Sequence, residues 1–260
     1  MTFGTEDWTI VLLATAGVGD FVENALGGIA RCGINPALVQ VVFPSNAAHE
    51  LVGLIRKFGS RPRLLEELIG GADGEMPSRY VDYGTAEFNR LMMVRFRIIR
   101  AMLKEGRQIV AADIDVAWFR NPLAYLSKIM ARYPWACQTE ASAEFSPNFC
   151  AGFFAVRPAP ESLELIDIHI ERFSGDRSPA LTMQQLFNRI IGENPRFLPD
   201  IFPLPEGLFA NGLLYPAITA KAAAPVDMVA RLEPFIFHGN YTIGLESKRR
   251  LLQYVGGWLI

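Results

Sequence analysis

The chain has 260 residues, half of them apolar, and its 25 basic and 27 acidic side chains leave a net charge of −2. It is long enough for one large α/β domain or two small ones with a sizeable core, and the near-neutral balance excludes wholesale attraction to nucleic acid. Cys32, Cys137 and Cys150 are odd in number, scattered and without metal-ligand spacing, so they predict buried thiols in a reducing compartment rather than a disulfide framework.

Met1 to Asp7 carries acids where a leader would carry lysines, and no apolar run is long enough to span a bilayer; a soluble, cytoplasmic protein is expected, with peripheral contact to a membrane left open. Trp8 to Thr15 is a short apolar run rich in β-branched residues, followed by Ala16-Gly17-Val18-Gly19-Asp20, which predicts a buried strand opening into a loop. Phe21, Ala25, Leu26, Ile29 and Ala30 recur at helical spacing, with Gly33 and Pro36 before a second strand, Leu38 to Phe43. This βαβ unit predicts a parallel sheet with helices on its faces and a ligand near the carboxyl ends of the strands, where Thr15 and Gly17 would lie. Gly17-x-Gly19 is not a dinucleotide fingerprint: Val22 stands where the third glycine belongs, and no acid follows at the expected distance.

Ser45 or Asn46 caps a second predicted helix through Phe58, Arg61 to Leu65 reads as a short strand, and Gly70 to Asp82 reads as a mobile loop near the site. Thr85 to Glu105 predicts a long helix ended by Gly106. Arg90, Arg97, Arg100 and Lys104 form one stripe on it, with Arg95 off the stripe; most are expected on a solvated face, with one reaching a phosphate or the sugar of a donor.

Ile109 to Ala112 reads as a buried strand, and Asp113-Ile114-Asp115 follows. On an extended backbone two carboxylates at i and i+2 project from the same side, and such a pair is comfortable only with a cation between them. Oxygen-rich sites suit Mg²⁺ or Mn²⁺, and a metal held there could clamp a diphosphate. Asn121-Pro122 opens a predicted helix through Met130, and Pro134 to Gln138 and Ala151 to Val156 read as strands around the polar stretch Thr139 to Asn148. Helices are expected over Glu161 to Phe173 and Ala180 to Ile191, then an irregular proline-rich stretch from Phe197 to Gly212. The chain closes with a strand, Phe235 to His238, a glycine-bearing turn and a helix to Tyr254. Gly239 and Gly244 permit close backbone approach, and Lys248 sits near a helix N-terminus, which favours anions. With Asp113, Asp115 and His238 these are the parts of a two-carboxylate, one-imidazole metal site holding a nucleoside diphosphate.

Asp113 to Pro122, Asp-Ile-Asp-Val-Ala-Trp-Phe-Arg-Asn-Pro, resembles the segment Asp-x-Asp-Val-x-Trp-Leu-Arg-Asp-Pro of nucleotide-diphospho-sugar transferases similar to the plant rhamnogalacturonan xylosyltransferases. The resemblance runs from about Phe88. Arg95 stands where the family often has lysine, Gly106 precedes the metal strand, and Gly152-Phe153-Phe154 and Phe209-Ala210-Asn211-Gly212 fit family turns and strands. His238-Gly239-Asn240 with Gly244, Lys248 and Trp258 is similar to the terminal family pattern. Glycogenin-like retaining transferases share the analogous His, Gly and Lys.

The resemblance implies an α/β fold of GT-A type with a Rossmann-like, mostly parallel sheet. It implies one domain over residues 1–260, with a nucleotide-binding half to about 120 and an acceptor half from about 121. The implied activity is metal-dependent, retaining transfer of a sugar from a nucleotide sugar, expected to be a UDP-sugar, to a hydroxyl acceptor such as a glycan. By that likeness Asp113, Asp115 and His238 bind Mn²⁺ or Mg²⁺, and Gly244 and Lys248 contact the diphosphate. Thr15 at its strand end, Arg95 and Gly239 are further candidates for the donor site, and Gln184 is expected beside the anomeric carbon, with Asp115 sharing in catalysis.

One departure matters: the family's Asp-Gln-x-x-Phe-Asn appears as Met183-Gln184-Gln185-Leu186-Phe187-Asn188. If the absent acid orients the sugar, the protein borrows another such as Glu140 or Glu144, prefers a different donor or is weakly active. Met183 also keeps open a sugar-nucleotide binding module without catalysis. A phosphatase of the haloacid dehalogenase type would likewise place Asp-x-Asp after a strand, but Ala117 stands where Thr or Val is usual there, and no later acidic pair is evident.

Overall fold

The computed structural model describes residues 7–70, 77, 79–140, 148–175, 181–213 and 232–260. Strands and helices alternate through the first third as the apolar periodicity predicts: β1 (Trp8–Leu13), α1 (Gly19–Arg31), β2 (Val39–Phe43), α2 (Ala48–Lys57), β3 (Arg61–Leu64) and a short α3 (Leu65–Ile69). Next come α4 (Ala86–Lys104), β4 (Gln108–Ala112), β5 (Val116–Trp118), α5 (Leu123–Met130), β6 (Trp135–Glu140) and β7 (Asn148–Val156). The last third supplies α6 (Pro160–Gly175), α7 (Met183–Glu193), β8 (Ile201–Leu204), β9 (Phe209–Asn211), β10 (Ile236–His238) and α8 (Leu245–Tyr254).

Seven strands form one sheet in the order β3-β2-β1-β4-β7-β6-β8, with β7 alone antiparallel to its neighbours. The chain leaves β1 toward β2 and β3, then returns to place β4 on the other side of β1. That reversal is a topological switch point, and it opens a crevice at the carboxyl ends of β1 and β4. Helices α1, α2 and α5 cover one face around Leu26, Leu51 and Leu126, and α4, α6 and α7 cover the other around Ile99, Ile166 and Ile190. A second sheet, β5-β10-β9, brings the C-terminal part of the chain back to the crevice. Asn24 on α1 fastens this return, donating to the Gly257 carbonyl at 3.0 Å and accepting from the Leu259 amide at 2.7 Å.

Local chemistry sets the helix ends. Thr85 accepts the Phe88 amide at 3.1 Å to start α4, and Gly106, at φ +80°, ends it. Thr182 and Gln185 form a capping box, so α7 begins at Met183 rather than at Ala180. The stretch expected to be irregular holds β8 and β9; Pro203 is tolerated because β8 lies at the edge of the sheet. β5 and α3 were not expected either: each is too short to show a period. Most of the loop expected over Gly70 to Asp82 lies outside the described residues.

Candidate active site

β4 ends one residue before Asp113, and the chain turns at once, with the Val116 amide bonded to the Asp113 carbonyl at 3.2 Å. The two aspartates therefore converge on a turn between β4 and β5, which corrects the expectation of an extended i, i+2 pair. β10 runs antiparallel to β5 with His238 opposite Val116, and the Gly239 amide bonds the Asp115 carbonyl at 3.0 Å. This pairing delivers an imidazole from the far end of the chain. His238 Nε2 lies 3.4 Å from both Asp113 Oδ2 and Asp115 Oδ1.

The donor set suits a divalent ion. One atom from each of Asp113, Asp115 and His238 falls within a 4.8 Å span, and ligands about 2.1 Å from a common ion stand roughly 3–4 Å apart. Gly152 on β7 makes the room: a Cβ there would sit 2.0 Å from His238 Cε1 and 2.7 Å from Asp113 Oδ2. Any side chain at 152 would fill the place where the three ligands meet.

Gln138 fixes the imidazole, and it was missed in the sequence. Its Nε2 donates to the carbonyls of Phe209 and Ala210 at 3.0 and 2.9 Å, so its Oε1 must face His238 Nδ1, 3.0 Å away. Nδ1 therefore carries a proton; Asp115 and Asp113 favour a second proton on Nε2, which faces them, and a cation bound there would take that proton's place on the Nε2 lone pair. A glutamine in an otherwise apolar buried strand was the available signal.

Two cations flank the pair. Asp113 turns Oδ1 to Arg95 at 2.5 Å, and Asp115 turns Oδ2 to Lys248, leaving the opposite oxygen of each facing His238. Burial alone would raise the Asp115 carboxyl, yet Lys248 and His238 outweigh it and hold the group well below the usual carboxylate range. Burial would likewise lower Lys248 and His238, and Asp115 reverses both shifts.

Gln184 lies in the same cleft, accepting the Ala151 amide at 3.0 Å and donating to Glu140 Oε2 at 2.8 Å. Glu140 is 4% exposed and also accepts from Asn240 at 2.7 Å and Tyr241 at 2.6 Å. Glu144 lies outside the described residues. Met183 is buried, its carbonyl facing His169 Nε2 at 3.1 Å. Asn188 clamps the Phe149 amide and carbonyl of β7 at 2.8 Å each.

Thr15 is buried in the cleft wall beyond β1, as expected. Gly244 opens α8 at φ +87°, a backbone conformation that favours glycine, and no atom of the described residues lies within 4 Å of a Cβ placed there. The arginine stripe stays out of the cleft: Arg100 pairs with Asp167 and Arg97 meets Ser174, both on α6. The three cysteines are free; Cys137 and Cys150 are buried, as expected, but Cys32, near the C-terminal end of α1, is only partly buried, and burial pushes the Cys150 thiol up to about 11. The cleft encloses about 410 Å³.

Residues 68–252 match the nucleotide-diphospho-sugar transferase family. The chain is 24% identical over 198 residues to a beta-arabinofuranosyltransferase of Arabidopsis thaliana, covering 68% of this chain and 35% of that protein. It is 22% identical over 191 residues to a UDP-galactose:fucoside alpha-3-galactosyltransferase of Dictyostelium discoideum, covering 68% and 29%. The chain thus spans about a third of the length of these curated relatives. In fold it is similar to mouse xyloside xylosyltransferase 1, with a TM-score of 0.55 at 14% identity, covering 90% of this chain and 98% of that one.

Proposed function

Since the chain belongs to the nucleotide-diphospho-sugar transferase family and has the GT-A glycosyltransferase fold, we propose that it is a metal-dependent glycosyltransferase, moving a sugar from a nucleoside-diphosphate donor to a hydroxyl acceptor. The observation that carries this reading is the convergence of Asp113, Asp115 and His238 in a cleft that Lys248 also lines. These three side chains would hold the metal, and Mn²⁺ suits their mixed carboxylate and imidazole chemistry better than Mg²⁺. When bound, the ion supplies a Lewis acid that neutralises the departing diphosphate.

The chain's own groups do the remaining work. Asp115 keeps its charge despite burial, Gln138 holds His238 by Nδ1 so that Nε2 would be the atom offered to an ion, and Arg95 orients Asp113. Lys248, in the first turn of α8, would meet phosphate oxygens, whereas the Gly239 amide, expected to do the same, is already bonded to the Asp115 carbonyl and so supports the turn instead. Gln184 and Glu140 stand where charge develops at the anomeric carbon, and Glu140 is the carboxylate that compensates for Met183.

A UDP-sugar donor is supported by the printed donor of the Dictyostelium relative, and a glycan acceptor by the fucoside in the same name. Retention of configuration rests on the likeness of the motifs. A single domain over residues 1–260 is supported by the sheet, in which β1 and β4 continue into β7 and β6. The scattered free cysteines support a reducing, cytoplasmic setting, and no helix among the described residues is long and apolar enough to cross a membrane.

Met183 favours the rival reading of a binding module without catalysis. Incubation with UDP-galactose, UDP-xylose or UDP-arabinofuranose plus Mn²⁺, followed by NMR of the sugar released or transferred, separates the two. Turnover supports the transferase and reports the anomeric outcome; binding of a nucleotide sugar without any turnover supports the module.

A further inference from the structure

Tyr241 breaks a local rule that the fold does not require it to break. Its φ is +59°, in the left-handed region that glycine or asparagine occupies at less cost, and the residue is 56% exposed. Strain of this kind persists where neighbours enforce it, and here the enforcing group is Glu140, which accepts the Tyr241 hydroxyl at 2.6 Å. Tyr83, on the segment leading into α4, is likewise 53% exposed as a residue, with its hydroxyl 3.4 Å from Thr182 Oγ1 and its ring packed 5.2 Å from Phe88. Ile243, 65% exposed, joins them. Of seven large exposed apolar or aromatic side chains among the described residues, these three all line the one cleft, so the grouping is local rather than the scatter normal to a surface.

The chemistry of the rim selects its occupant. Ring faces welcome a C–H surface, while Glu140, Gln184 and Asn240 beside them offer acceptors and donors to hydroxyls. Glu140 Oε1 accepts only from Asn240 among the described residues, so it retains capacity for another donor. A phosphate would be repelled by that carboxylate. A sugar ring, apolar on one face and hydroxylated at its edge, uses both parts. We propose that Tyr241 and Tyr83 form the walls of the acceptor subsite, with Tyr241 stacked on the sugar that receives the transferred residue and Glu140 hydrogen-bonded to one of its hydroxyls. This rests on the transferase reading above and adds the residues that would bind its second substrate.

The test uses Tyr241→Gly, which removes the ring and relieves the backbone, alongside Tyr241→Phe and Tyr83→Ala. Methyl galactoside, methyl xyloside and methyl fucoside serve as acceptor probes in saturation-transfer NMR with UDP and Mn²⁺ present, and calorimetry reads UDP affinity with Mn²⁺. The expected result is that at least one glycoside binds the wild-type protein and that Tyr241→Gly weakens it on the order of tenfold or more. Tyr241→Phe should lose less, Tyr83→Ala should also weaken the glycoside, and the UDP dissociation constant should move less than about twofold. Unchanged glycoside binding in Tyr241→Gly, loss of UDP affinity instead of glycoside affinity, or no glycoside binding to the wild-type protein would each overturn the subsite. Failure of the wild-type protein to bind UDP with Mn²⁺ would mark the collapse of the transferase reading itself, visible before any variant is made.

Discussion

Lys248 and Asp115 stand 133 positions apart in the chain and bond to each other in the cleft, joining the C-terminal helix to the turn after β4. The pair is a buried one, with side chains 19% and 6% exposed, and each partner sets the charge of the other. Lys248→Met therefore removes both the ammonium offered to phosphate and the compensation for a buried carboxylate. UDP affinity measured by calorimetry in Mn²⁺ should fall by about tenfold or more. Unaltered affinity would remove Lys248 from the diphosphate site.

Gly152→Ala tests the space in which the ligands meet. The new methyl would overlap His238 and Asp113, and β7 is fixed on both sides by β4 and β6. The substitution should destabilise the protein by about 1–3 kcal/mol in urea unfolding and abolish Mn²⁺ binding read by electron paramagnetic resonance. Retained metal binding would show that the ion sits elsewhere.

Gln138→Leu keeps the volume and removes the acceptor for His238 Nδ1–H. Metal affinity should drop by roughly 10–100-fold, the usual loss when the group that orients a ligating histidine is removed. Equal Mn²⁺ affinity in wild type and variant would mean that the strand β10 alone aims the ring.

His169 gives a pH signature separate from the metal site. It is fully buried, stacked 4.3 Å from Phe96, and burial lowers its pKa from 6.5 to about 4. A folded pKa below the unfolded one means that protons bind preferentially to the unfolded chain. This contribution to stability is complete above pH 6.5 and is lost as pH falls from 6.5 toward 4, amounting to about 3 kcal/mol. The stability difference between wild type and His169→Phe, from urea unfolding at pH 7.5 and pH 4.5, should change in that direction. A difference that stays constant across the range would contradict the assignment.

The sequence carried the elements whose patterns are long or chemically distinctive. The βαβ opening, the capped helix α4 and the separate placement of Asp113, Asp115 and His238 follow from periodicity, turn residues and residue type. The local geometry was less legible. Spacing suggested an extended pair of aspartates, whereas their convergence depends on a turn and on β10 pairing with β5, a contact between distant segments that no local pattern encodes. Gln138 and Tyr241 stayed hidden for the same reason: their partners lie 71 and 101 positions away. The arginine stripe was partly legible: Arg90 and Lys104 are exposed, as expected of a solvated face, while Arg97 and Arg100 meet Ser174 and Asp167 on α6, a helix–helix contact that the stripe alone does not encode.

UDP binding by titration calorimetry, performed with Mn²⁺ and again with EDTA, on wild type and on Asp115→Asn, bears most directly on the metal-bridged site. The expected result is binding to wild type in Mn²⁺ that weakens by about tenfold or more in EDTA, with the dependence on metal erased in Asp115→Asn. Equal affinity in EDTA and Mn²⁺, or an Asp115→Asn protein that keeps full metal-dependent binding, would contradict it.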